Sequence, residues 1–177
     1  NDNHQFKNLY FGRYADILNS TFNCDVMLAT IDSITNQLRP EMSRQIGRWG
    51  GTMNEWISNV NDLRDFISKR CTLISDGLIS CYDLTGPHQI TIMTDPPESG
   101  SINFNSLSHE NLPWQGNYFG NMDNSISINP KNGKKFLYWK SMNGTSTFGS
   151  TTSVNTFVNL FSQDTLVAVF EGATSTN

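Results

Sequence analysis

The sequence contains little charge and no long apolar run. Only 16% of its residues are charged, and 12 basic against 16 acidic residues give a net charge of −4. This balance argues against a protein that binds the phosphate backbone of a nucleic acid, which needs clustered Lys and Arg. No stretch approaches the roughly 18 apolar residues of a membrane-spanning helix. Asn, Ser and Thr supply most of the polarity, as is common on secreted surfaces, so we expect an extracellular or cell-surface location.

The usual sequence signatures of catalysis are also missing. There is neither a Gly-x-Ser-x-Gly nucleophile elbow nor a glycine-rich phosphate loop. The three histidines do not lie at metal-ligand spacing; they are His4, His88 and His109. The three cysteines form no Cys-x-x-Cys pair; they are Cys24, Cys71 and Cys81. An odd number of cysteines leaves at least one thiol unpaired within a single chain. The acidic residues of the first part, Asp16 among them, are scattered, and we expect them to be solvated.

Helical periodicity dominates the first half of the chain. Apolar residues recur every three to four positions over residues 6–22 and again over residues 26–38, and Pro40 is expected to open a further, short helix. After the Gly50-Gly51 break, Thr52 and Glu55 form a capping box before an apolar stripe. Residues 72–82 fit either a helix or a hairpin turning at Asp76-Gly77.

The pattern changes beyond Gly86-Pro87, where apolar residues begin to alternate. Residues 89–93 and 166–170 both read as strands, and the glycines and prolines between them punctuate several more. The sequence thus predicts an α+β chain: an N-terminal helical segment over residues 1–85, a small, mainly antiparallel β domain over residues 86–172, and a tail or linker over residues 173–177.

Two kinds of surface residue are candidates for function. Trp114 and Tyr118 lie in a polar turn rich in glycine, where exposed aromatic rings would stack on a sugar or anchor a protein partner. Trp56 and Trp139 are instead expected in the core. Ser33 and Thr165 follow Asp and precede an aliphatic residue, a pattern that resembles the O-glycosylation site of Bacteroidetes periplasmic and surface proteins.

The helical half contains a series of residues that resembles a known family, the spore-coat CotH-type kinase-like proteins, in their C-terminal helical part. The resemblance begins at Phe11-Gly12-Arg13-Tyr14-Ala15-Asp16-Ile17-Leu18-Asn19. It continues through Phe22, Ile31-Asp32, Arg39-Pro40-Glu41-Met42, Arg48-Trp49, Trp56, Leu63-Arg64-Asp65-Phe66 and Arg70. In the family a helix follows the arginine and ends in an aromatic residue and a leucine, which match Tyr82 and Leu84. The resemblance therefore favours a helix over residues 72–82.

The β half is similar to the module that follows CotH-type domains in Bacteroidetes surface proteins, a divergent internalin-type B-repeat. The similar stretches are Ile90-Thr91-Ile92, Gly100-Ser101-Ile102-Asn103, Trp114-Gln115-Gly116-Asn117-Tyr118-Phe119, Pro130, Gly133, Phe136, Trp139 and Ala168-Val169-Phe170. This resemblance implies a β-grasp-like unit.

The family's kinase activity uses a nucleotide site and metal-binding aspartates upstream of the helical part, and no residue here matches those motifs. The resemblance implies that this chain is a non-catalytic piece of a secreted multidomain protein, acting as scaffold or spacer. It implies no cofactor in this segment, with Mg and ATP belonging to the parent. The initial Asn and the lack of a signal-peptide core also favour a mature or trimmed piece. Its expected partners are neighbouring domains of the same polypeptide, other surface proteins or a glycan.

Two other functions remain open. The parent is an atypical secreted kinase whose ATP site lies upstream, or the chain is a carbohydrate- or protein-binding module. A helix over residues 72–82 also has a covalent consequence. Ten helical residues separate the α-carbons of Cys71 and Cys81 by about 15 Å, whereas a disulfide tolerates about 7 Å. We therefore predict that these two cysteines are not bonded to each other.

Overall fold

The computed structural model describes residues 3–172, apart from the side chain of Thr72. Within that range the helices all precede the strands. They are α1 (His4–Leu18), α2 (Cys24–Trp49) and α3 (Met53–Tyr82). One of the two bonds of the predicted capping box before α3 is present, since the backbone N–H of Glu55 donates to Thr52 Oγ1 over 3.2 Å. The Glu55 carboxylate accepts from the Thr52 hydroxyl over 2.9 Å instead of from a backbone N–H. Helix α3 also includes residues 72–82, which confirms the helical interpretation of that segment.

Helices α2 and α3 form most of one compact unit, Ser20–Leu78. Three links along the pair join them as antiparallel neighbours: the disulfide Cys24–Cys71, the ion pair Asp32–Arg64, and the Arg39 guanidinium 5.8 Å from the Trp56 ring centroid. As the position on α2 advances from 24 to 39, its partner on α3 moves back from 71 to 56, so the two helices run in opposite directions. Neither Trp56 nor any residue of α2 is fully buried, so the core position expected for Trp56 is wrong.

The break predicted at Pro40 is also wrong. Pro40 lies inside α2, which continues for nine residues beyond it to Trp49. Proline in a helix interior removes one backbone hydrogen bond and crowds the preceding turn. Arg39, directly before the proline, lies with its guanidinium 5.8 Å from the Trp56 ring centroid on α3.

Nine strands follow over the described part of the chain. They are β1 (Thr85–Asp95), β2 (Gly100–Phe104), β3 (Leu107–His109), β4 (Trp114–Gly120), β5 (Asn124–Pro130), β6 (Phe136–Ser141), β7 (Ser146–Phe148), β8 (Asn155–Leu160) and β9 (Asp164–Phe170). One sheet has the order β4-β1-β9-β6 and the other β3-β2-β5-β8-β7. All pairings are antiparallel except that of β1 with β9. The α+β class with mainly antiparallel strands is confirmed.

The two sheets enclose an apolar core. Phe104 on β2 contacts Tyr118 on β4 with ring centroids 4.4 Å apart, and Trp139 on β6 stacks on Phe148 on β7 at 5.9 Å. Trp139 is buried as expected. This arrangement is a two-sheet sandwich, a larger body than the β-grasp-like unit that the resemblance implied.

Helix α1 belongs to the same compact unit as the strands, which comprises Asn1–Asn19 and Ile79–Asn177. Its buried residues are Phe11, Gly12, Ala15 and Asp16. The division of the sequence into domains at residues 85 and 86 stays a prediction, and the predicted tail, residues 173–177, lies outside the described residues.

Candidate functional site

The carboxylate of Asp16, on the buried side of α1, joins this helix to the strands of the β-containing unit. The carboxylate accepts hydrogen bonds from the Ser106 backbone N–H at 2.7 Å, the Ser106 hydroxyl at 2.5 Å and the Tyr118 hydroxyl at 3.1 Å. Arg13, one turn earlier on α1, donates to the Ser106 hydroxyl at 2.5 Å. These four residues, the Asp16 cluster, join α1 to the β2–β3 turn and to β4.

Burial governs the protonation of the cluster. It raises the pKa of the Asp16 carboxyl above its usual 3.8, against the opposing effect of the hydrogen bonds from Ser106 and Tyr118 and of the Arg13 charge. Burial and the neighbouring Asp16 charge raise the pKa of the Tyr118 phenol well above its usual value. The donors facing the carboxylate belong to the chain itself, and Asp16 is fully buried. This arrangement suits a structural connection between α1 and the strands rather than acid–base chemistry on a bound substrate.

Sequence reasoning missed this cluster, because Asp16 was expected to be a solvated acid. The expectation is wrong: Asp16 is 0% exposed. A usable signal lies in the helical spacing, since Asp16 falls on the same face as Phe11, Gly12 and Ala15. A carboxylate on the buried stripe of a helix needs a polar partner inside.

Trp114 and Tyr118, the predicted ligand-binding pair, differ in their exposure. Tyr118 is 0% exposed, because β4 directs it into the core, which corrects the expectation of two exposed rings in a turn. Trp114 is half-buried, and its ring stacks on His109 with centroids 3.9 Å apart. The Trp114 indole also fills the space above Gly116, where an added Cβ would lie 2.2 Å from the ring. Trp114 alone therefore offers an exposed edge, and ligand binding there stays a prediction.

His109, beneath the Trp114 ring, is buried, and its Nε2 has no hydrogen-bond partner within residues 3–172. Burial lowers the pKa of this imidazole below its usual 6.5. The neutral ring is thus the form that packs against Trp114.

The two predicted glycosylation residues lie in different surroundings. Ser33 is exposed on α2 and accepts a hydrogen bond from Gln37 Nε2 at 3.3 Å. Thr165 lies half-buried on β9, a central strand of its sheet, where it pairs with Thr91 of β1. Modification at either residue stays a prediction, and Ser33 is the more accessible of the two.

The cysteines take the arrangement that the helix over residues 72–82 requires. Cys24 and Cys71 form a disulfide with their α-carbons 6.1 Å apart, and Cys81 is free and exposed. The prediction that Cys71 and Cys81 are not bonded to each other is confirmed.

The helical hairpin of α2 and α3 displays many large apolar side chains. Those classed as exposed in the unit Ser20–Leu78 are Phe22, Val26, Ile34, Leu38, Trp49, Leu63, Phe66 and Leu73. Isolated exposed apolar residues are ordinary, whereas large apolar patches are typical of interaction sites. Seven of the eight lie on α2 and α3, and Phe22 lies just before α2. We refer to these eight side chains as the apolar hairpin surface.

The described residues do not fit a magnesium–nucleotide site. Among residues 3–172, no group of three or more His, Cys, Asp and Glu side chains lies close enough to hold a metal ion. Asp16 is occupied by donors, and Asp32 pairs with Arg64. We therefore assign no phosphoryl-transfer step to this segment. In the same range, no helix has the length and apolar content needed to cross a membrane.

Comparison with known proteins bears on the helices. The family model described as CotH kinase protein matches residues 1–74. Neither a curated protein nor a solved structure gives a significant match. The matched range contains α1, α2 and most of α3, and it ends before the first strand. Residues 1–74 are therefore similar to a CotH-type region, and the match covers less than half of the 177 residues.

Proposed function

We propose that this chain is a non-catalytic part of a secreted, multidomain CotH-like surface protein, in which it acts as scaffold and spacer. The observation that carries this proposal is the apolar hairpin surface, which lies within or directly beside the CotH-type region. An antiparallel helix pair with no fully buried residue on α2 gains little stability from its own contacts. It is suited to packing against a further part of the protein.

The free energy available from burying the apolar hairpin surface supports a role in docking another domain. Covering apolar surface is worth about 25 cal/mol per Å², or roughly 1.5–3 kcal/mol for each large side chain that becomes fully buried. Burying even part of these eight side chains under a neighbouring domain would stabilise its docking by several kcal/mol, on the order given by that coefficient. The partner we propose is a neighbouring domain of the same polypeptide.

The disulfide supports secretion. Disulfides persist in oxidising compartments and are rare in the reducing cytosol. Cys24–Cys71 joins residues 47 positions apart across both helices of the hairpin, so it restrains the helix pair that we propose as the scaffold. An extracellular scaffold benefits from such a restraint because it has no access to intracellular chaperones.

Site-specific photo-crosslinking in the full-length protein tests the docking role. A photoreactive phenylalanine analogue at Phe66 or Ile34 is expected to crosslink to peptides of the same polypeptide that lie outside the hairpin. The matched control places the analogue at Asp62 and Ser43, which are exposed polar positions of the same helices. Equal crosslinking at both pairs of positions, or none at Phe66 and Ile34, would contradict the proposal.

The second candidate is an enzyme, favoured by the kinase description of the matching family model. In that case the parent phosphorylates secreted protein, with Mg and ATP bound upstream. Calorimetric titration of the full-length protein with Mg–ATP tests the enzyme proposal, and titration of this chain alone is the control. Saturable binding to the full-length protein that is absent from this chain would support an ATP site upstream, whereas no heat of binding to the full-length protein would contradict it.

A further inference from the structure

The outer side of the five-stranded sheet has an unusual composition. Alternation places one set of side chains of β2, β5 and β8 in the core and the other set outside. The outer set, with its paired neighbours on β3 and β7, consists of Ser101, Asn103, Thr147, Ser108, Ser125, Ser127, Asn129, Asn155, Phe157 and Asn159. We call these ten residues the amide face. Every member is uncharged, and all but Phe157 are Asn, Ser or Thr.

The register brings these side chains into rows across the sheet. One row runs Ser108, Asn103, Ser127, Asn155 over four strands. Within it, Asn103 Nδ2 donates to Ser127 Oγ over 3.3 Å. The adjacent row places Ser125 beside Phe157, whose ring is 41% exposed. The face thus combines a lattice of amides and hydroxyls with one aromatic ring.

Sheet stability does not account for this composition. Asn is among the residues depleted in strands, while Val, Ile and Thr are favoured. The four-stranded sheet of the same unit has the strand-favouring pair Thr91 and Thr165 on its inner strands, and its outward amides Gln115 and Asn117 lie on the edge strand β4. In the five-stranded sheet all four asparagines lie on the inner strands β2, β5 and β8, which runs against the local preference. Residues that break a local preference concentrate at functional sites.

The chemistry of the face selects its ligand. Without Lys or Arg it offers nothing to a polyanion. Protein interfaces are enriched in aromatic residues, Met and Arg and depleted in Ser, which is nearly the reverse of this surface. An amide supplies two donors and an acceptor, and a hydroxyl supplies one donor and an acceptor. Such groups match a neutral partner dense in hydroxyl groups, against whose ring the apolar face of Phe157 can stack.

We propose that the amide face binds a neutral polysaccharide. The rows across four strands provide repeated contacts to successive sugar units, so that many weak hydrogen bonds add up along the chain. The amide face is a different site from the Trp114 region and contains no residue of the apolar hairpin surface. Its test is therefore independent of the scaffold proposal.

Affinity electrophoresis in native gels tests the proposal with dextran, glucomannan and arabinoxylan as neutral probes, and polygalacturonate as the acidic comparison. The protein is expected to be retarded by at least one neutral probe. Asn103→Asp exchanges amide donors for a carboxylate, and Phe157→Ala removes the ring. Each should weaken that retardation by about fivefold to tenfold, as the loss of one good contact predicts.

The chain offers a closely matched control. Gln115 Nε2, on the four-stranded sheet, donates to Thr91 Oγ1 over 3.1 Å, just as Asn103 donates to Ser127. Gln115→Glu therefore introduces the same charge beside the same kind of hydroxyl, and it should leave retardation unchanged. Circular dichroism confirms that all variants are folded. The proposal is overturned by absence of retardation in all three neutral gels, by retardation only in polygalacturonate, or by an equal loss in Gln115→Glu.

Discussion

The carboxylate of Asp16 on α1 and the phenol of Tyr118 on β4 form a buried hydrogen bond of 3.1 Å between residues 102 positions apart. Asp16 lies inside the range matched by the CotH family model, and Tyr118 lies outside it. Helix α1 therefore packs against strands that lie outside the range matched by the family model. A piece of this protein that ended at residue 74 would lack Ser106 and Tyr118, the hydrogen-bond partners of Asp16.

Replacing Asp16 with Ala should strongly destabilise the β-containing unit. The change removes the acceptor for three hydrogen bonds and leaves the buried Tyr118 hydroxyl unsatisfied, while the exposed Ser106 loses the acceptor for its backbone N–H and hydroxyl. An unsatisfied buried group costs about 1–3 kcal/mol and each lost hydrogen bond about 1 kcal/mol, so we expect the free energy of unfolding at pH 7 to fall by about 3 kcal/mol. Urea unfolding followed by tryptophan fluorescence measures it.

The matched control for this change is Asp62→Ala on the exposed side of α3. Surface substitutions of this kind usually alter stability by less than about 0.5 kcal/mol. If the two alanine variants unfold at the same urea concentration, the Asp16 cluster contributes nothing to stability and its structural role is refuted.

Periodicity explains which parts of the structure could be predicted from the sequence. A helix or strand that buries one face repeats its apolar residues at 3.6 or 2 positions, so α3, β1 and β9 are visible in the chain itself. The change of period near Gly86-Pro87 likewise marks where helices give way to strands. These features depend on neighbours in sequence.

The features that could not be predicted depend on contacts between distant residues. Burial of Asp16 requires Ser106 and Tyr118, about 90 and 102 residues away. Tyr118 looked exposed because glycines and polar residues surround it, but strand alternation directs its ring inward. The continuation of α2 through Pro40 runs against the local preference of proline and has no local signal in the sequence. The amide face became apparent only when the strand register aligned residues from five strands.

Asp164 should make the stability of the sandwich depend on acid pH. Burial raises the pKa of its carboxyl, but hydrogen bonds from the Ser141 hydroxyl and the backbone N–H groups of Asn143 and Thr165 outweigh this effect, and the pKa lies below 3.8. A carboxyl with a lowered folded-state pKa stabilises the protein above its unfolded pKa of about 3.9, and this contribution is lost as pH falls through the folded value.

We therefore expect the stability difference between the native protein and Asp164→Asn to be constant near pH 6 and to shrink below about pH 4. Asp16 provides a contrast of opposite sign, since its pKa is raised. Its titration contributes stability fully below the unfolded pKa, and that contribution is lost as pH rises through the folded value. Urea unfolding at a series of pH values checks both. A pH-independent difference for Asp164→Asn would contradict the assigned shift.

The disulfide should dominate the stability of the helical hairpin. Closing a loop of 47 residues removes unfolded-state entropy worth about 4 kcal/mol in the chain-entropy model. The double variant Cys24→Ser, Cys71→Ser should therefore lose the helical circular dichroism signal at a markedly lower denaturant concentration than the native protein. Cys81→Ser is the control, because Cys81 is free and exposed. Equal unfolding midpoints for the double variant and the control would show that the cross-link does not stabilise the hairpin.

The packing of Trp114 on Gly116 leads to a prediction about paired substitutions. An alanine Cβ at position 116 would lie 2.2 Å from the Trp114 ring, so Gly116→Ala forces the indole aside and should cost about 1–3 kcal/mol of stability. In a Trp114→Ala background the ring is gone and Asn19 Oδ1, at 3.1 Å, is the close neighbour that remains, so the same change at Gly116 should cost less than about 1 kcal/mol. The difference between the two costs, obtained from a double-mutant cycle of urea unfolding, measures the contact directly.

Gly47→Ala is the control, since nothing lies within 4 Å of an added Cβ on the exposed side of α2, and alanine there should raise stability by about 0.5–1 kcal/mol. Additive costs at positions 114 and 116 would mean that the ring does not occupy the space above the glycine.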